Sequence, residues 1–334
     1  MKNVSIVGAG AMGTALAINF DRAGKSVTLC ATSFDDSFVE AIEKTGVHPS
    51  LAHEVPGSIA IVRPPEWGPV MKRTDIAVLA VASGGVRSTL AQISGTLPET
   101  STVLVATKGW DPESAEQLSI LLARSSPGHP LAFIVGPTLA GEIAGGRPTA
   151  LVCASASLHT AQEVADFFSS PTLRIFVTDD VVGVEVGAAL KNVIAVAIGM
   201  CDGLAESGAV AFTNAKAALF SQGLIEMSRL ARALGGREET VLGLTGSGDL
   251  FVTVMGGRNG QFGRLIGSGV KPDDALAQMA TTVEGFEGSV RAVLLAERLG
   301  VHMPLVQMVY SVLYGGVEPS AALVSFFSTW TDSR

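Results

Sequence analysis

Lys191 is the single cation in the long apolar stretch Gly183 to Gly203, GVEVGAALKNVIAVAIGMCDG. A lysine held in such a setting can donate or accept a proton in a cleft. Lys108, in Thr107-Lys108-Gly109, could meet an anion or a carbonyl oxygen. Asp249, in LTGSGDL, and the run Gly256-Gly257-Arg258-Asn259-Gly260 read as glycine-bounded polar loops. Backbone N–H groups and a fixed guanidinium in such a loop can hold a phosphate. Near the N-terminus stands Gly8-Ala9-Gly10-Ala11-Met12-Gly13, a GxGxxG run suited to a pyrophosphate. Each group also has a plainer reading. Lys191 snorkels to a surface or pairs with a carboxylate, Lys108 is solvated after a strand, and both loops are merely solvated.

The elements that must position these groups divide the chain in two. Val4 to Val7 is a β-branched strand feeding straight into the glycine run, after which Thr14 to Ile18 continues as a helix. In that setting Gly8 allows the tight turn, Gly10 lets backbone approach the anion, and Gly13 allows close helix packing. Further strands are expected at Ser26 to Cys30, Ile76 to Val81, Thr102 to Thr107, Ala132 to Val135 and Ala150 to Ala154, with helices at Gly85 to Ile93 and Ser114 to Arg124. Strands separated by helices predict an α/β architecture, a Rossmann-type doubly wound parallel sheet whose ligands lie beyond the strand C-termini. Lys108 and Gly136-Pro137-Thr138 follow two of those strands. After about Thr178 helical patterns take over: the Lys191 segment, Asn214 to Leu234, Val283 to Leu299, and a last stretch after Met303. The expected division is a dinucleotide-binding domain over 1–180 and an all-helical, substrate-binding domain over 181–334.

Strand two ends at Cys30 and leads into Ala31-Thr32-Ser33-Phe34-Asp35-Asp36. An acid there commonly takes the adenosine ribose 2′-hydroxyl, whereas a 2′-phosphate needs a cation. NAD is therefore expected ahead of NADP, which stays open.

Composition narrows the class. The 334 residues carry a formal charge of -8, with 47% hydrophobic and 16% charged residues, which predicts packed cores and excludes a broad nucleic-acid surface. Cys30, Cys153 and Cys201 are odd in number and widely spaced, so neither a disulfide framework nor a metal site is expected and a reducing, cytoplasmic setting is. No uncharged run reaches membrane-spanning length, so stable membrane insertion is not expected. The apolar residues Phe326, Phe327 and Trp330 suit either ordinary packing or a homodimer surface.

Taken together, GAGAMGTALA, ATKG, VGPTLAGE, GAALKNVIAVAIGMCDG, NAKAALFSQGLIEMSRL, GSGDL, GGRN, VEG and MPLV resemble, in order, the NAD(P)-dependent glycerol-3-phosphate dehydrogenase family in its bacterial form. The resemblance covers nearly the whole chain. It implies hydride transfer between a nicotinamide and C2 of a small phosphorylated alcohol or ketone, with sn-glycerol 3-phosphate and dihydroxyacetone phosphate as the leading pair. It further implies Lys191 as proton donor and acceptor and Lys108 as a second active-site lysine, with Asp249 and Thr253 orienting lysine and substrate. Gly136, Thr138, Asn192, Gly257, Arg258 and Asn259 match substrate contacts. Gly8, Gly10, Ala11, Met12, Gly13, Lys108, Ala140, Arg258, Val283 and Glu284 match cofactor contacts.

The chain departs from that pattern in places. Gly260 and Gln261 stand where a second Arg usually follows Arg-Asn, Gln222 replaces an arginine, and the loop from Gly203 to Phe212 is longer. These changes lower the cationic character expected around the ligand and admit a larger polyol phosphate as substrate. Two further functions stay open: a β-hydroxyacid or ketopantoate-type reductase, and a non-catalytic dinucleotide-binding protein.

Overall fold

A computed structural model of the chain describes residues 2–208, 211–279 and 282–331. It divides into two compact units, 1–111 with 116–181 and 112–115 with 182–334.

The first unit is built on eight strands: β1 (Asn3–Val7), β2 (Ser26–Cys30), β3 (Ala60–Val62), β4 (Ile76–Leu79), β5 (Thr102–Val105), β6 (Leu131–Val135), β7 (Thr149–Ala154) and β8 (Leu173–Thr178). They form one sheet in the order β8-β7-β6-β5-β4-β1-β2-β3. The helices are α1 (Ala11–Arg22), α2 (Asp36–Thr45), α3 (Trp67–Met71), α4 (Ser83–Ile93), α5 (Leu118–Ser125), α6 (Ala140–Ala144) and α7 (Leu158–Phe168). Ile6, Leu29, Val78 and Leu104 share one face of the sheet and Val7, Leu79 and Val105 the other, and all are buried, as expected of strands covered on both faces. The expected helix from Ser114 begins only at Leu118.

The sheet departs from all-parallel pairing once. β7 runs antiparallel to β6, with Phe133 opposite Ala154 and Val135 opposite Val152. A parallel return needs a crossover long enough to span the sheet. The β6–β7 connection carries only the five-residue α6. That helix is tied to α1 instead, through Asn19 Nδ2 to Ile143 O at 3.4 Å and Arg22 Nη2 to Ala144 O at 2.5 Å.

The second unit is helical: α8 (Val181–Ser207), α9 (Thr213–Ala233), α10 (Glu238–Leu242), α11 (Asp249–Gly256), α12 (Arg258–Gly267), α13 (Pro272–Met279), α14 (Glu284–Leu299), α15 (Pro304–Leu313) and α16 (Pro319–Thr329). α8 is long and apolar enough to cross a membrane by length and composition, yet 89% of its most apolar window is buried inside the protein. It is a core helix, apolar all round because neighbours surround it. α12 presses directly on its backbone. A Cβ at Gly199 would strike Gly260 O, one at Gly203 would strike Arg264 O, and one at Gly263 would strike Val196 O. α8 extends through the first part of the expected Gly203 to Phe212 loop, and Ala209 and Val210 within that loop lie outside the described residues.

Gln222 and Glu226, both buried on α9, hold the start of α15. Glu226 accepts from Leu305 N at 2.7 Å and Val306 N at 3.0 Å, two donors that the first turn of a helix leaves unmet. Gln222 Nε2 donates to the same carboxylate at 2.8 Å. Burial nevertheless pushes the Glu226 carboxyl up to about 7, against the pull of those donors. Because the folded state holds this proton more tightly, the Glu226 contribution to stability falls as pH rises from the unfolded carboxyl range through about 7. Full ionisation costs about 3 kcal/mol. Glu226→Gln carries a fixed loss, because its amide accepts at one atom where the carboxylate accepts at two, but should gain on the wild type as pH rises from about 5 to about 7. Melting temperatures across that range check this, and a pH-independent difference refutes it.

Candidate active site

In the first unit the chemistry gathers where parallel strands end. Gly8 closes the β1 turn with φ +109°, and a side chain there would meet Ala80 O at 2.7 Å. A Cβ at Gly13 would strike Gly8 O, so α1 packs hard against the turn. Gly10 differs: nothing lies within 4 Å of the place a Cβ would occupy. It also caps α1, whose first turn holds Ala11 and Met12. An open, side-chain-free approach to a twelve-residue helix N-terminus fits a dinucleotide pyrophosphate. Ala140 opens α6, which packs on α1.

Lys108 follows β5 and Gly136 follows β6. Lys108 Nζ donates to Thr138 Oγ1 at 3.1 Å and to Gly136 O at 3.4 Å, and Thr138 Oγ1 also donates to Gly136 O at 3.2 Å. Lys108, Gly136 and Thr138 thus form one cluster.

The second unit holds a buried ion pair. Lys191, 4% exposed, donates to Asp249 Oδ1 at 2.6 Å and to Thr253 Oγ1 at 2.9 Å. Thr253 gives its own hydroxyl proton to Asp249 O at 2.6 Å, so its lone pairs face the ammonium. Asp249 does not stand in a plain loop, contrary to what the glycine pattern predicts. Leu244–Gly248 is one π turn, wound directly into α11, which begins at Asp249. A π turn offsets the side chains that follow it, and here it aims Asp249 inward. Gly246 lets the turn close, since a Cβ there would strike Val241 O.

The Arg258-Asn259 segment is likewise helical: Gly257 separates α11 from α12, and Arg258 and Asn259 occupy the first turn of α12. Asn192, next to Lys191 in sequence, joins a different network. It accepts from Asn259 Nδ2 at 2.9 Å, and Asn259 Oδ1 accepts from Gly285 N at 2.8 Å. Gly285 lies against α8, where a Cβ would meet Asn192 O at 2.5 Å. Val283 is buried at the α14 N-cap, and Glu284 pairs with the half-exposed Arg258 at 3.0 Å. At position 260 a Cβ would find ordinary space, with Thr253 O at 3.7 Å. The missing arginine there is a change of chemistry that packing does not demand. Gln222, by contrast, spends its amide on Glu226.

Two further residues reach the glycine run, Asp35 from the acidic turn after strand two and His48. Asp35 accepts from Ala9 N at 2.9 Å, and His48 Nε2 meets Ala9 O at 3.1 Å. The spacing from glycine run to strand two gives a weak signal for Asp35, and none points to His48. Among the described residues no group of three or more His, Cys, Asp or Glu is placed to hold a metal ion.

A Rossmann-type sheet with an open glycine cradle, and a helical unit with a buried lysine–carboxylate pair, define a nicotinamide-dependent dehydrogenase. The family model described as the NAD-dependent glycerol-3-phosphate dehydrogenase N-terminus matches residues 3–161, and its C-terminal counterpart matches residues 180–324. Glycerol-3-phosphate dehydrogenase [NAD(P)+] of Thiobacillus denitrificans is 37% identical over 328 residues, 97% of each chain. The enzyme of the same name from Pseudoalteromonas translucida is 36% identical, covering 96% of this chain and 95% of its own. The crystal structure of glycerol-3-phosphate dehydrogenase from Coxiella burnetii superposes with a TM-score of 0.90 at 28% identity, over 98% of both chains. The chain belongs to the NAD-dependent glycerol-3-phosphate dehydrogenase family, and is an oxidoreductase that uses NAD(P).

Proposed function

We propose that this chain interconverts dihydroxyacetone phosphate and sn-glycerol 3-phosphate, with Lys191 carrying the proton. The buried Lys191–Asp249 pair, braced by Thr253, carries the reading. A bound nicotinamide would supply or take the hydride at C2. In reduction Lys191 gives a proton to the oxygen on C2, and in oxidation it takes that proton back. Asp249 and Thr253 fix the direction of the ammonium, so little reorganisation accompanies the transfer. Lys108, set by Gly136 and Thr138, is the second lysine and offers positive charge to substrate oxygen. Arg258 and Asn259, on the first turn after Gly257, suit the phosphate, and Asn192 with Gly285 holds Asn259 in place. The cofactor side comprises Gly8, Gly10, Ala11, Met12, Gly13, Lys108, Ala140, Arg258, Val283 and Glu284.

In functional terms the two units are a dinucleotide-binding domain and a substrate domain. A cytoplasmic setting suits the three buried cysteines, which are unpaired and whose thiols burial pushes up to about 12.

Loss of nicotinamide absorbance on mixing protein, NADH and dihydroxyacetone phosphate is the expected result. Tight NADH binding with no turnover on any ketone phosphate overturns it in favour of a sensor. Turnover confined to larger polyol phosphates would move the substrate instead.

A further inference from the structure

We infer that the groove between α14, α15 and α16 binds one amphipathic anion, a free long-chain carboxylate, with its alkyl chain in the groove and its head beside Arg229 and Arg232. The groove holds a cavity of about 700 Å³. That lies within the range of about 300 to 1,000 Å³ usual for small-molecule sites, which are mostly apolar with a few polar groups to set direction. Val293, Ala296, Met303, Val306, Met308 and Phe326 line it, each largely buried. Two of the six are methionines, whose unbranched side chains adapt to an alkyl chain. None of the lining residues is among those assigned to substrate or cofactor.

Charge complementarity names the occupant. A second cavity, of about 370 Å³, is bounded by Arg229, Arg232 and Ala233 of α9 and by Val301 and His302, and the last two line the groove as well. Apolar space and cationic space therefore meet at the connection between α14 and α15. Arg229 Nη1 donates to His302 O at 3.2 Å, which holds the guanidinium against that connection. Arg232 pairs with Glu238 at 2.7 Å, but both are exposed, and such a pair is weak enough to share its cation with a carboxylate. The acids nearby set the direction of the chain. Glu297 lines the groove and disfavours an anionic head beside it. Glu226 lies in the field of Arg229, but burial pushes its carboxyl up to about 7, so near neutral pH it offsets that charge only in part. A cleft walled by three helices takes a single alkyl chain rather than a flat lipid surface, and the arginines call for an anion at one end of it.

Calorimetric titration of the full-length protein with octanoate, decanoate and dodecanoate, each below its micelle concentration, tests this. One molecule should bind per chain, with affinity rising about tenfold for every two CH₂ groups added. Dodecanol, which has the chain without the charge, should bind at least about tenfold more weakly than dodecanoate. Arg229→Gln should remove about that tenfold advantage and leave dodecanol binding unchanged. Ala322→Trp, which fills the groove, should abolish binding of both while NADH affinity stays at the wild-type value. Binding at many sites, affinity independent of chain length, or equal affinity for dodecanol overturns the inference. So does an absence of binding, and two further measurements then name what the face is for. A dimer in sedimentation gives the groove to a second copy, and co-sedimentation with phosphatidylglycerol vesicles gives it to a membrane. The length and head-group series on the wild type decides the matter even if a variant does not fold.

Discussion

Replacing Lys191 with methionine should lower the turnover of dihydroxyacetone phosphate by about 10²- to 10⁴-fold, the usual worth of a positioned general acid. NADH affinity should stay within about threefold of wild type, a change of under 1 kcal/mol. Lys191 is nearly solvent-free, and two hydrogen bonds of its ammonium converge on α11, at Asp249 Oδ1 and Thr253 Oγ1. Methionine matches the length of the aliphatic stem but offers no proton. The plainer view of Lys191, an ammonium buried only to pair with a carboxylate, makes a different forecast: lower melting temperature with turnover per folded molecule intact. Steady-state kcat on protein whose folded fraction is fixed by NADH titration separates the two. A variant within about threefold of the wild-type kcat would remove Lys191 from the chemistry.

How much of this can be read from the sequence depends on distance along the chain. The glycine run is legible because turn, cradle and helix start all fall between Gly8 and Gly13, and each glycine meets its own local demand. α8 is legible from its unbroken apolar character. The reversed strand β7 is not, because α6 looks like any other helix between strands until its five residues prove too few to cross the sheet. β3, only three residues long, carries no period to detect. The segments around Asp249 and Arg258 mislead for a physical reason. Glycine and polar residues suggest loops, whereas close backbone packing uses those glycines to build a π turn and a tight helix junction.

The candidate site shows the same limit more sharply. Lys191 is conspicuous as a cation among apolar residues, but its partner lies 58 residues further on, and no local pattern joins the two. Resemblance to a family supplies Asp249 and Thr253, and the geometry supplies the reason: a helix start aimed by the turn before it. Asn259 can be named in the same way, yet its link through Gly285 N to α14 belongs to tertiary structure alone. His48 is the extreme case, since one histidine in a two-residue strand has no spacing to betray that it meets Ala9 O.

That separation between what the fold requires and what the chemistry requires can be measured at the ion pair itself. Asp249→Leu keeps the branched shape of the side chain but takes the carboxylate charge away from a buried ammonium. Removing one member of a buried pair costs about 3 to 5 kcal/mol, because the other charge stays behind in a low-dielectric setting. Lys191→Met should cost about the same for the mirrored reason, since the Asp249 carboxylate then stays behind without that ammonium. The double variant, Lys191→Met with Asp249→Leu, removes both charges at once, and apolar replacements of similar volume are often neutral or stabilising. Its stability should therefore return to within about 1 to 2 kcal/mol of wild type, giving a coupling well outside the additive range of about 0.3 to 0.5 kcal/mol. Turnover should not return with it. Denaturant melts and initial rates on the same four proteins read both quantities. Additive stability losses would mean that the two residues do not act as a pair, and recovered turnover in the double variant would mean that the pair is there for the fold alone.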